Sequence, residues 1–148
     1  MKFLSLFGLL LANALTSPLA AQEAIPCDWI ARADAIVEPW EAHTRTFANG
    51  DVRLALLDVI EPAAGAYHLL MVSPPYDELG ARQCMTLGLS NGIGFSGVDW
   101  ATLDAGYDPS VGLIWFIAVQ VMGADGPALR TLQFTLNQST GAIGAVLR

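Results

Sequence analysis

Beyond Lys2 the chain contains no lysine, and it carries only two histidines and two cysteines. The scarcity of metal and redox ligands is informative. Cys27 and Cys84 are too far apart for a CxxC redox pair, and two sulfurs alone do not make a zinc site. Two histidines, His43 and His68, with no HExxH spacing leave a catalytic zinc without a ligand set. Serine chemistry lacks its turn: in Gly94-Phe95-Ser96-Gly97-Val98 the second glycine stands one place too early for a nucleophile elbow. No cofactor motif is present, and no complete catalytic set singles the chain out as an enzyme.

Charge of one sign is also scarce. After residue 21 there are six arginines against fourteen Asp and Glu, a balance of −8. Such a surface opposes phosphate backbones and anionic membranes, which excludes nucleic acid as a partner and favours a basic protein.

Apolar runs are short. Phe3 to Leu15 follows Lys2 and precedes the small residues Ser17-Pro18-Leu19-Ala20-Ala21. A bilayer span needs roughly 20 apolar residues, so this is a signal peptide and not an anchor. Cleavage is expected after Ala21, with residues 22–148 forming one domain in the periplasm or secreted. In an oxidising compartment an even cysteine count predicts the disulfide Cys27–Cys84.

What is abundant is alternation. In the stretch from Val111 to Leu136, residues Leu113, Trp115, Ile117 and Val119 share one face, and Ile114, Phe116 and Ala118 the other. Leu132, Phe134 and Leu136 then oppose Thr131, Gln133 and Thr135, with the turn at Asp125-Gly126. This is the period-2 pattern of an antiparallel hairpin. Further strands are expected at 52–60, 66–73, 82–90 and 142–147, with Pro74-Pro75 in a loop.

From Cys27 to Ala48 the period changes. Trp29, Ala33, Ile36, Trp40, Thr44 and Phe47 recur at steps of three and four, which predicts a helix kinked at Pro39 and stopped by Asn49-Gly50. Asp99 is expected to cap a second, short helix. The resulting fold is α+β: an N-terminal helix packed on one face of an antiparallel sheet of about five to six strands.

Two loops combine acids with aromatics, Tyr76-Asp77-Glu78 and the stretch holding Trp100, Asp104, Tyr107 and Asp108. Aromatic anchors within an acidic rim suit a protein-binding or inhibitory module that meets a basic partner. An alternative is a carrier of a small apolar ligand between helix and sheet, lined by Trp29, Trp40 and Trp115. Asp99, Asp104 and Asp108 lack the alternate spacing of an EF-hand loop, and calcium is not assigned to them. His68 is expected on a strand near Asp58, at the surface or rim.

Overall fold

The computed structural model describes residues 22–90 and 92–148, so the signal peptide expected over 1–21 lies outside the described residues. Strands β1 (Glu23–Pro26), β2 (Thr44–Phe47), β3 (Val52–Asp58), β4 (Tyr67–Tyr76) and β5 (Arg82–Gly88) form one antiparallel sheet, in the order β1-β5-β4-β3-β2. Strands β6 (Gly97–Asp108), β7 (Gly112–Gly123), β8 (Gly126–Leu136) and β9 (Ile143–Leu147) form a second, in sequence order.

Alternation decides what lies between the sheets. Leu54, Leu56, Leu69, Met71 and Leu87 from the first meet Trp115, Ile117, Val119, Leu132 and Phe134 from the second in one buried cluster. The molecule is a β-sandwich, with the other alternates of each strand turned outward. In the predicted hairpin, Trp115 and Phe134 are fully buried while Phe116 on the opposite face is 37% exposed.

The expected α+β architecture is therefore corrected. No helix of seven or more residues occurs among the described residues, and the N-terminal helix is replaced by an irregular strap. Its helical stripe is misleading, because Trp29 is 61% and Trp40 51% exposed. Ile30 and Ala35 are the residues that bury, packing with Leu57 on the outer face of the first sheet.

Backbone hydrogen bonding explains the outcome. Pro39 would break a helical ladder, whereas the edge of β3 offers partners to extended chain. Val37 N donates to Leu56 O (3.0 Å) and Leu56 N to His43 O (3.0 Å), so the chain borders β3 twice and residues 38–42 loop out. The Asn49-Gly50 stop survives as a turn between β2 and β3, with positive φ at both residues.

The short helix expected after Asp99 is also absent. That stretch lies in β6, whose pairing with β7 shifts register between Asp99 and Asp104. Thr102 Oγ1 there accepts from Ala118 N at 2.8 Å, replacing a ladder bond. Pro74 and Pro75 belong to β4, beyond its last pair with β3 and inside its irregular pairing with β5. Both prolines thus avoid positions that require an N–H.

The predicted disulfide is present. Cys27 and Cys84 are joined, with Cα atoms 5.3 Å apart, and Cys27 N donates to Cys84 O at 3.0 Å. The bond fixes the start of the strap to the outer face of the first sheet.

Candidate functional site

The antiparallel order carries the β4–β5, β6–β7 and β8–β9 turns to the same end of the sandwich. Gln83 Nε2 joins two of them, donating to Ser73 Oγ and to Gly141 O, each at 3.0 Å. The β8–β9 turn and the β6–β7 turn together line a cleft of about 170 Å³ bounded by Tyr107, Pro109, Asn137 and Ser139.

Two aromatic rings stand at this end. Tyr107 is 69% exposed. Tyr76 is 49% exposed, its hydroxyl donates to Asp51 Oδ1 at 3.1 Å, and the Arg82 guanidinium lies 5.4 Å from the ring centre. A tyrosine held between an acid and a stacked arginine loses little freedom on contact with a partner.

The acids beside them have different duties. Asp77 Oδ1 accepts from the Leu79 and Ala81 amides, both at 2.8 Å, and so holds the β4–β5 turn. Asp108 Oδ1 accepts from Ser110 N (2.7 Å) and Ser110 Oγ (2.6 Å). These bonds, the Ser110 hydroxyl first, hold the Asp108 carboxyl below the usual range. Glu78 is exposed within the β4–β5 turn.

Of the seven residues proposed from sequence, five lie at this end: Tyr76, Asp77, Glu78, Tyr107 and Asp108. Trp100 does not. It is buried in the core at 6% exposure, with the Arg45 guanidinium 5.8 Å from its ring centre. Asp104 pairs with Phe116 along the sheet, away from the turns. Asp51 and Arg82 were missed, because their relation to Tyr76 depends on strand pairing that no local motif announces.

The opposite end holds a larger, open cleft of about 540 Å³, with His43, Tyr67, Ser96, Asp99 and Gln120 in its lining. These residues are not wired as a triad. His43 Nδ1 meets Pro39 O at 3.1 Å, and Asp99 Oδ1 accepts from Ala101 N at 3.2 Å. No group of three or more His, Cys, Asp or Glu placed to hold a metal occurs among the described residues.

His68 is not a rim residue beside Asp58. The register sets it opposite Leu57, while Asp58 faces Tyr67, and only 2% of its surface is exposed. Burial pushes its pKa below the ordinary histidine value, with Asp28 opposing the shift. Beside it is a void of about 10 Å³, room for about one water molecule. The void is also lined by Thr86, whose buried Oγ1 has no partner among the described residues.

The space proposed for an apolar ligand between helix and sheet does not exist. Trp29 and Trp40 lie in the exposed strap, and Trp115 fills the core. No helix among the described residues is long and apolar enough to cross a membrane. Comparison with protein-family models, with curated proteins and with solved structures finds no match to this chain.

Proposed function

We propose that the protein is an exported binding module that engages a basic protein through the turn-bearing end of its sandwich. What supports this reading is that both aromatic-acidic segments lie at one end of the sandwich. Tyr76 and Tyr107 are exposed at the ends of β4 and β6, beside Asp77 and Asp108, whose carboxylates accept from backbone amides. Interfaces draw on exposed aromatics as anchors and on complementary charge for orientation and on-rate. Export is supported by the disulfide and by the signal-like order of residues 1–21.

Titration of the ¹⁵N-labelled mature chain with a short peptide carrying arginines and a leucine tests the site. Amide shifts should concentrate at 51, 76–82 and 107–112. Affinity should fall with added salt, because exposed charges separated by more than a Debye length are screened. Shifts spread evenly over the acidic surface would count against a defined site. Shifts confined to the cleft at the other end would relocate it.

A further inference from the structure

The strap covers only part of the outer face of the first sheet. Beyond it, two adjacent rows run across β2, β3 and β4. One is Thr44, Ala55 and Leu70, and the other is Thr46, Arg53 and Val72. Together with Ile36 at the strap's edge they line a mostly apolar groove of about 400 Å³.

The groove is polarised along the strands. At the strap end it is apolar: Ile36 bridges to Leu57, and Leu70 packs against the cluster beneath the strap. At the other end stands Arg53, exposed and in no ion pair among the described residues. The nearby Arg45 is committed elsewhere, donating to Leu103 O at 3.0 Å and lying over Trp100. Arg82, Arg130 and Arg148 are likewise in no ion pair among the described residues, but of these four only Arg53 lines this apolar groove. A guanidinium presents a planar fork that fits a carboxylate with two parallel hydrogen bonds.

We infer that this groove binds a small amphiphilic carboxylate, its head on Arg53 and its alkyl chain over Val72, Ala55 and Leu70 toward Ile36. The volume falls within the roughly 300–1,000 Å³ range of small-ligand sites. Charge selects the class: the lining holds arginine and no acid, so a cationic amphiphile is repelled and a neutral one lacks its anchor. The groove lies on the outer face of the first sheet, its Arg53 end two residues along the chain from Asp51. It shares no lining residue with the cleft between the β6–β7 and β8–β9 turns, and it does not depend on a basic partner binding there.

Calorimetric titration of the full mature chain with octanoate, hexanoate, 1-octanol and octylammonium, all below their aggregation limits, tests the assignment. Octanoate should bind, hexanoate should bind more weakly, and octylammonium should not bind. Arg53→Gln should weaken octanoate at least tenfold, while Arg130→Gln on the other sheet leaves it unchanged. Octanoate should also shift the methyl resonances of Leu70 and Val72. Circular dichroism and thermal melting confirm that the variants are folded. Octanol binding as tightly as octanoate, an unaltered affinity in folded Arg53→Gln, absence of octanoate binding up to millimolar concentration, or a second copy of the chain occupying the groove would each overturn the proposal.

Discussion

Trp115 of β7 and Phe134 of β8 stack with ring centres 5.1 Å apart and planes 15° from parallel. They are direct cross-strand partners, and both are fully buried. Phe47 completes the arrangement from the first sheet, edge-on to Trp115 at 5.4 Å. The pairing within one sheet and the contact across the sandwich thus share one indole.

Removing that indole should therefore affect both sheets. Trp115→Ala is expected to cost about 3–5 kcal/mol through lost burial and the cavity left behind. Gln133, on the outer face of β8, should tolerate alanine within about 0.5 kcal/mol. Urea melts of the two variants check the difference, and equal losses would contradict the assignment of faces.

That hairpin was legible because both strands keep one period, β7 burying Trp115, Ile117 and Val119 and β8 burying Leu132, Phe134 and Leu136. The strap was not. Its apolar spacing imitates a helix, but the deciding fact is the open edge of β3, where Val37 and His43 find backbone partners. Local periodicity carries no information about a distant strand edge. Trp100 misled for a related reason: an aromatic between Asp99 and Asp104 resembles a surface loop until the β6 register shift turns it into the core. Arg53 and the bare sheet face beside it emerged only from the register.

The disulfide predicts a redox effect of known sign. The closed loop spans a separation of 57 residues, for which loop-closure entropy gives on the order of 4 kcal/mol. Reductant should lower the stability of the folded protein by at most about that amount. Protein denatured without reductant should show no free thiol by Ellman titration, and two thiols would refute the cross-link.

His68 predicts a pH effect. Its folded pKa lies below the ordinary value near 6.5, so the unfolded chain binds the proton more readily. Stability is complete above the unfolded pKa and falls as the pH drops through it toward the folded pKa. Unfolding of the wild type at pH 7.5 and pH 5.0 should show this loss, and a folded His68→Gln variant should show less of it. A variant with the same pH dependence as the wild type would place the effect elsewhere.

Gly94 predicts a steric effect. A Cβ at this position would collide with Tyr67 O and lie 2.8 Å from Gly65 O, both backbone atoms that cannot swing aside. At Gly106 the nearest atom would be Ile114 Cγ2 at an ordinary 3.5 Å. Gly94→Ala should therefore lower the melting temperature distinctly more than Gly106→Ala, and a reversed order would show that the approach of residues 93–95 to β4 is misplaced.

Recognition at the turn-bearing end is tested most directly by photocross-linking in the native envelope. A photoreactive residue is placed at Glu78, at Tyr107 or, at the far end, at Leu129. The same basic cross-linked protein should appear from positions 78 and 107 but not from 129, and Tyr76→Ala should diminish the product formed from position 107. A product formed from position 129 alone, or equally from all three, would contradict the account.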